Sequence, residues 1–177
     1  MKGDDMNASG PSATPAATPA AIASLVAAKG VNHIGIAVRS LDEQRAFYES
    51  VLGARFECIE EVKSQKVRVA FYALGPIDNA VRLELLEPTS PESPIAQFIE
   101  KRGEGLHHVA YTVTDIAGRL CALHQAGVRL IDEYPRAGAH GSQIAFLHPK
   151  ASNGVLTELC EPRRNGNSNG NSNGHAA

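Results

Sequence analysis

Two histidines and two glutamates stand at matching positions in this 177-residue chain. His33 begins the run HIGIAV, and His108 begins the similar run HVAYTV 75 residues later. Glu84 and Glu158 occupy equivalent places in the runs LELLEP and TELCEP, which are offset by 74 residues. Two imidazoles and two carboxylates that meet at one point form a ligand set for a divalent metal ion. We therefore predict one metal site made of His33, Glu84, His108 and Glu158.

Four protein ligands leave two positions free on an octahedral ion, which is enough to hold a substrate through two oxygen atoms. Strand alternation supports a cavity at this point, because Gly35 shares the strand face of His33 and Ala110 shares that of His108. Such small side chains leave space beside the imidazoles. The same alternation favours His108 over its neighbour His107, which it turns to the opposite face.

The matching runs belong to a longer internal repeat. Each His-led strand is followed by a helix, which runs from the cap Ser40 to Gly53 in the first half and from Asp115 to Gly127 in the second. Three strand-like runs follow in each half, at 54–62, 66–74 and 81–87 and at 128–134, 142–148 and 155–161. The order βαβββ therefore occurs twice. We predict an α+β fold in which two βαβββ modules pair about a pseudo-two-fold axis.

The two ends of the chain differ in composition from the repeat. Residues 1–29 are rich in Ala, Pro, Ser and Thr, and residues 163–177 are rich in Asn and Gly. Such segments bury too little apolar surface to offset chain entropy, so we predict disordered tails. Between them, residues 30–162 suit one compact domain. Its predicted parts are module 1 at about 31–88, a linker helix at about 93–102 and module 2 at about 106–162.

Composition argues against several classes of partner. The formal net charge is -2, so no basic field favours nucleic acid. The apolar stretch 20–28 is shorter than a membrane helix requires, and the N-terminus matches neither a secretory signal nor a transit peptide. Three cysteines without CxxC spacing indicate a reducing compartment. We expect a cytoplasmic protein that binds neither nucleic acid nor a membrane.

Several motifs carry a resemblance to a known family. They are ELLEPTSPESPIA at 84–96, GLHHV at 105–109, GAHG at 138–141, FLHPK at 146–150 and GVLTEL at 154–159. Together they resemble the methylmalonyl-CoA epimerases of the vicinal oxygen chelate superfamily, over about residues 31–162. The resemblance places the superfamily's ligand positions on the four residues named above.

The resemblance also implies an activity. It implies an isomerase that interconverts (R)- and (S)-methylmalonyl-CoA by a 1,1-proton transfer through a metal-stabilised enolate. It further implies a homodimer, an acyl-CoA substrate and a place in propionate metabolism. One divalent ion per chain is expected, with Co²⁺ or Mn²⁺ favoured and Zn²⁺, Ni²⁺, Fe²⁺ or Mg²⁺ compatible.

Inversion at C2 requires an acid/base on each face of the substrate. Glu158 is a candidate for one face. Some epimerases carry a second Glu in the third strand of the first half, but the matching residue here is Val69. The second proton carrier therefore stays open between Glu84, His140 in the Gly-rich loop 137–141, and water.

Two basic residues are candidates for substrate binding, and two other functions are alternatives to the epimerase. Arg136 and Lys150 are candidates for contact with the substrate carboxylate or the CoA phosphates. A glyoxalase-type glutathione-thiol lyase uses the same metal constellation and similar proton chemistry. A non-catalytic antibiotic-binding protein shares the fold, but the presence of all four ligands here argues against it.

Overall fold

A computed structural model describes residues 25–163 of the chain. The first half contains β1 Gly30–Ala37, α1 Leu41–Ala46 continued by a π-helical turn Phe47–Val51, β2 Arg55–Val62, β3 Val67–Leu74 and β4 Val81–Pro88. The linker helix is α2 Pro94–Arg102. The second half contains β5 Gly105–Thr112, α3 Ile116–Gln125, β6 Arg136–Ala137, β7 Gln143–Leu147 and β8 Thr157–Glu161. No helix within the described residues is long and apolar enough to cross a membrane.

The eight strands form one sheet in the order β2-β3-β4-β1-β5-β8-β7-β6. β1 is parallel to β4, β5 is parallel to β8, and β1 and β5 meet as an antiparallel pair that we call the seam. In the seam His33 lies opposite Ala110 and Gly35 lies opposite His108, so each histidine faces the small residue of the other half. The predicted fold of two βαβββ modules about a pseudo-two-fold axis is confirmed.

Helices α1 and α3 begin where the sequence predicts their caps. The Ser40 hydroxyl accepts a hydrogen bond from the Glu43 backbone N–H at 3.3 Å, and the Asp115 carboxylate accepts one from Gly118 at 3.2 Å. Both helices cover one face of the sheet and bury an apolar cluster there. The opposite face of the sheet is thereby left for a cavity.

One predicted strand of the second half is wrong. In the run 128–134 only Leu130 makes an isolated bridge, to Leu147, and the second strand of this module is the two-residue β6. The Asp132 carboxylate accepts the backbone N–H of Phe146 at 2.9 Å. Because this side chain takes the place of a backbone acceptor, the ladder ends there.

A β-bulge changes the predicted direction of His107. The register passes from Gly35 opposite His108 to Ile36 opposite Leu106, so His107 is the extra residue on β5. Its ring lines the cavity. The prediction that simple alternation turns His107 away from the site is therefore wrong, although the preference for His108 as a ligand agrees with the geometry below.

The predicted N-terminal tail extends too far into the domain. Leu25 and Val26 pack against the apolar cluster beneath α3. The folded part therefore begins before residue 30. The remaining tail predictions, over residues 1–24 and 164–177, lie outside the described residues.

Candidate metal centre

The imidazoles of His33 and His108 meet across the seam. Their Nε2 atoms are 3.0 Å apart, and the two rings form an edge-to-face pair with centroids 5.1 Å apart. Burial lowers the pKa of His33 to about 4, helped by the charge of Arg82. Burial also lowers the pKa of His108 well below its usual value, and the neighbouring histidines act in the same direction. Both rings are neutral at pH 7, which is the form that binds a metal.

Glu158 completes a group of three buried ligands. Its carboxylate oxygens lie 3.8 Å from His33 Nε2 and 3.5 Å from His108 Nε2. One ligand atom from each residue lies within 4.8 Å of the others. Ligand atoms that surround an ion at about 2.0–2.2 Å stand roughly 3–4 Å from one another. His33, His108 and Glu158 therefore fit a divalent ion.

Glu84, the predicted fourth ligand, approaches His33 from its other side. Its Oε1 lies 3.3 Å from His33 Nδ1, whereas the Nε2 atom faces the other ligands. Glu84 lines the same cavity but is not part of the converging group. Burial raises the pKa of Glu84 to about 7, with Arg82 lowering it and Glu60 raising it. The ligand role of Glu84 stays a prediction.

Without a bound ion, the carboxyl group of Glu158 holds its proton at neutral pH. Burial raises the pKa of Glu158 to about 8, and the negative charge of Glu84 acts in the same direction. The guanidinium of Arg136 opposes this rise. A metal ion bound by Glu158 would displace this proton, because a carboxyl group binds a metal in its ionised form.

Each ligand histidine has a hydrogen-bond partner on its Nδ1 atom. His33 Nδ1 lies 2.9 Å from Asn32 Oδ1, an oxygen that only accepts, so His33 carries its proton on Nδ1 and leaves Nε2 free. Asn32 is itself fixed by donating to Thr112 Oγ1 at 2.9 Å. His108 Nδ1 lies 2.9 Å from His107 Nδ1. Asn32 and His107 therefore orient the two ligands.

Gly35, the small residue predicted beside the imidazoles, is required by the packing of His108. A Cβ atom placed on Gly35 would overlap the ring of His108. Glycine at this position is therefore what allows the His108 ring to lie across the seam.

The ligands lie in a cavity of about 400 Å³ to which both halves contribute. Apolar side chains make much of its wall; they include Val67, Val69, Leu86, Ile95, Ile144 and Phe146. A site of this size with a few converging polar groups is typical of small-molecule binding.

His140 reaches this cavity from the turn Ala139–Gly141. Its Nδ1 lies 3.3 Å from the Glu60 carboxylate, and its ring packs on Phe71 with centroids 4.2 Å apart. Sequence reasoning missed Glu60. Counting residues back from the turn of the β2–β3 hairpin places Glu60 opposite Val69. That count is the sequence signal that could have identified Glu60.

The two predicted substrate-binding cations differ in position. The Arg136 guanidinium lies 5.2 Å from the ring centroid of Phe146, a residue of the cavity wall, and pairs with Asp132 at 3.2 Å. Lys150 is exposed in the turn Pro149–Ala151 and does not line the cavity. Arg136 is thus near the site, and the contact of Lys150 with a substrate stays a prediction.

The chain is similar in sequence to a known superfamily and to several of its members. The family model described as the Glyoxalase/Bleomycin resistance protein/Dioxygenase superfamily matches residues 32–146. The chain is 50% identical over 133 residues to the uncharacterized protein YqjC of Bacillus subtilis, covering 75% of this chain and 92% of that one. It is 40% identical over 131 residues to the ethylmalonyl-CoA/methylmalonyl-CoA epimerase of Cereibacter sphaeroides, covering 73% and 95%.

A solved structure gives a similar result. A methylmalonyl-CoA epimerase in complex with methylmalonyl-CoA and NH₄⁺ shares 37% sequence identity with this chain at a TM-score of 0.72. The superposition covers 77% of this chain and 96% of that one. The likeness thus extends over nearly all of the described domain.

Proposed function

This chain belongs to the glyoxalase/bleomycin resistance protein/dioxygenase superfamily, and we propose that within it the chain is a methylmalonyl-CoA epimerase. The observation that carries the proposal is the buried group of His33, His108 and Glu158 in a cavity formed by both halves. The similarity to epimerases of 37–40% identity supplies the substrate class.

The chemistry of the substrate matches this site. The C2 proton of methylmalonyl-CoA lies between a thioester and a carboxylate, and its removal places negative charge on the thioester oxygen. His33, His108 and Glu158, with the predicted ligand Glu84, would hold a divalent ion here, and such an ion would supply the Lewis acidity that stabilises this charge. The buried position of these side chains excludes bulk water, so the charge is stabilised by fixed groups.

We assign Glu158 to the proton on one face of C2. It is the carboxyl group that lies near Nε2 of both imidazoles, at 3.8 Å from His33 and 3.5 Å from His108, and a carboxylate at this place can accept a proton from a bound substrate. The guanidinium of Arg136 lies over the ring of Phe146 and favours the ionised form of Glu158. It also supplies positive charge on the side where a substrate carboxylate is expected. The apolar wall formed by Val67, Val69 and Leu86 suits the methyl group.

Several finer properties belong to the same proposal. Co²⁺ or Mn²⁺ is the favoured ion, because imidazole and carboxylate ligands suit these borderline metals, and Zn²⁺, Ni²⁺, Fe²⁺ and Mg²⁺ are compatible. We propose a cytoplasmic homodimer that acts in propionate metabolism. Arg136 and Lys150 are the proposed contacts for the carboxylate and phosphates of the acyl-CoA.

A proton-exchange assay tests the function. Purified protein is incubated with methylmalonyl-CoA in D₂O, and loss of the C2 proton is followed by NMR, while a mutase specific for the (R) form reports epimerisation. Both rates should fall after treatment with EDTA and return when Co²⁺ or Mn²⁺ is added. A metal-loaded protein that leaves C2 unchanged, yet converts the adduct of methylglyoxal and glutathione, would instead be a glutathione-thiol lyase.

A further inference from the structure

The turn Ala139–Gly141 connects the two edges of the sheet. β2 and β6 are the two end strands, and the turn follows β6. From there the His140 backbone N–H donates to the Glu60 carboxylate on β2 at 3.2 Å, and the same carboxylate lies 3.3 Å from His140 Nδ1. The sheet therefore curls around the cavity, and His140 stands where its edges meet, across the cavity from the seam.

His140 is held in one orientation by contacts on two sides. The Glu60 carboxylate fixes Nδ1, and the Phe71 ring packs against the imidazole at a centroid distance of 4.2 Å. This arrangement leaves Nε2 free for a ligand of the cavity. About half of the side chain, 48%, is exposed, so the imidazole can exchange protons with solvent while its ring lines the cavity.

The backbone at His140 is in the left-handed region, with φ 52 and ψ 25. A side chain with a Cβ atom is strained there, and glycine or asparagine fits better. His140 lies between Gly138 and Gly141, and a glycine in its place would relieve the strain. A strained histidine at a cavity therefore points to a function of its side chain.

On the β3 side, the cavity wall near His140 is made of the valines Val67 and Val69. Val69 lines the cavity and lies opposite Glu60 in the β2–β3 register. Glu60 does not line the cavity, but its partner His140 does. The Glu60–His140 pair therefore brings an exchangeable proton to the part of the wall that these valines form.

We propose that His140, positioned by Glu60, is the acid/base on the face of C2 opposite Glu158; this inference rests on the epimerase function proposed above. Glu158 accepts the C2 proton, and the electron pair of the C–H bond enters the enolate. His140 as imidazolium then donates its Nε2 proton to the other face of C2, forming the new C–H bond. Protonated Glu158 and neutral His140 return to their starting states through solvent or by the reverse reaction.

The variant His140→Asn separates this role from a structural one. Asparagine tolerates the left-handed backbone but carries no exchangeable acid proton at neutral pH. General acid–base catalysis contributes about 10²–10⁴-fold, so epimerisation should fall by about that factor. In D₂O, the epimer that presents its proton to Glu158 should still exchange that proton at a rate within about threefold of wild type. His124→Asn, an exposed histidine in α3, is the matched control.

Glu60 is a positioning residue, and its test is the ratio of two rates. Glu60→Gln should lower the ratio of epimerisation to single-face exchange by about tenfold, because His140 loses the charge that orients it. Glu60→Asp should restore part of that ratio. A purely structural contribution would lower both rates together and leave the ratio unchanged.

Three outcomes would overturn the assignment. A folded His140→Asn protein, checked by circular dichroism, that epimerises at the wild-type rate or loses exchange on both faces equally would contradict it. So would a Glu84→Gln protein that exchanges one epimer without inversion, since Glu84 would then be the second carrier. A wild-type protein that performs neither reaction would overturn the epimerase function itself.

Discussion

In both halves of the molecule a phenylalanine lies opposite the glutamate, but the next strand outward carries different residues. In the first half Glu84 lies opposite Phe71 in the β3–β4 register, and in the second half Glu158 lies opposite Phe146 in the β7–β8 register. One strand further out the halves diverge. Glu60, opposite Val69 in the first half, is replaced at the equivalent place by a cation, Arg136 of the second half.

This difference gives the site a direction. The ring of Phe71 is covered by His140, whose partner is a carboxylate, whereas the ring of Phe146 is covered by the guanidinium of Arg136. Imidazole changes its charge near neutral pH, while guanidinium stays positive. The repeat thus gives each half one histidine and one glutamate, and the residues that differ make one side suitable for proton transfer and the other for an anion.

The two glutamates themselves are the first test of this comparison. Glu158 lies near both Nε2 atoms, but Glu84 lies near Nδ1 of His33. We therefore expect Glu158→Gln to lower C2 proton exchange by about 10³-fold, and Glu84→Gln by less than about 10²-fold. Rates are measured by NMR in D₂O together with the metal content per chain. Glu100→Gln, an exposed residue of α2, is the control, and equal losses in both variants would make the halves equivalent.

The seam offers a second test, of stability. Gly35→Ala would press a methyl group into the His108 ring, and overpacking of this kind costs about 1–3 kcal/mol. The equivalent residue of the second half is Ala110, opposite His33. Ala110→Gly removes a methyl group and should cost at most about 1 kcal/mol. Urea unfolding measures both free energies, and a neutral Gly35→Ala change would mean that the His108 ring has room to move.

The partners of the ligand histidines give a third test. Asn32→Ala and His107→Ala each remove the group that holds one Nδ1 atom. Loss of such a partner weakens metal binding by about 10–100-fold, which competition with a fluorescent chelator measures. If His107→Ala weakens binding and Asn32→Ala does not, orientation of the ligand matters only in the second half.

A fourth test is the pH dependence of metal affinity. Because ion-free Glu158 has a pKa of about 8, binding below pH 8 must release its proton, and affinity should rise about tenfold per pH unit up to that value. If Glu84, with a pKa of about 7, is also a ligand, the slope should approach two decades per unit below pH 7. Chelator competition between pH 6 and 9 distinguishes one released proton from two.

The same protonation affects the ion-free fold. The folded form holds the Glu158 proton up to about pH 8, whereas the unfolded chain releases it near 4.5. The folded state therefore binds more protons between these values, and the contribution of Glu158 to the free energy of unfolding falls as pH rises through this window. Stability of EDTA-treated protein that rises with pH between 7 and 8 would contradict the burial of this carboxyl group.

The repeat made much of this architecture predictable. The pairs His33/His108 and Glu84/Glu158 follow from nearly equal offsets of 75 and 74 residues, because a duplicated module places equivalent residues about one axis. The caps Ser40 and Asp115 are local signals, and the helices begin there. Such features depend on neighbouring residues or on the repeat itself.

The features that were missed depend on departures from regularity or on distant contacts. Alternation gave the wrong face for His107 because one extra residue enters β5 at that point. The run 128–134 has the composition of a strand, yet the side chain of Asp132 replaces a backbone acceptor. The contact between Glu60 and His140 joins residues 80 positions apart, and neither local pattern nor repeat offset predicts it.

The seam has a mechanical consequence for the whole domain. His33 and His108 are 75 residues apart in sequence and come from different halves, so an ion bound to both acts as a clasp between them. Its binding free energy adds to that of docking the halves, at about 1.4 kcal/mol for each tenfold of affinity. Opening of the seam would break ligand bonds to the ion, so the two halves should separate more easily once a chelator has removed it.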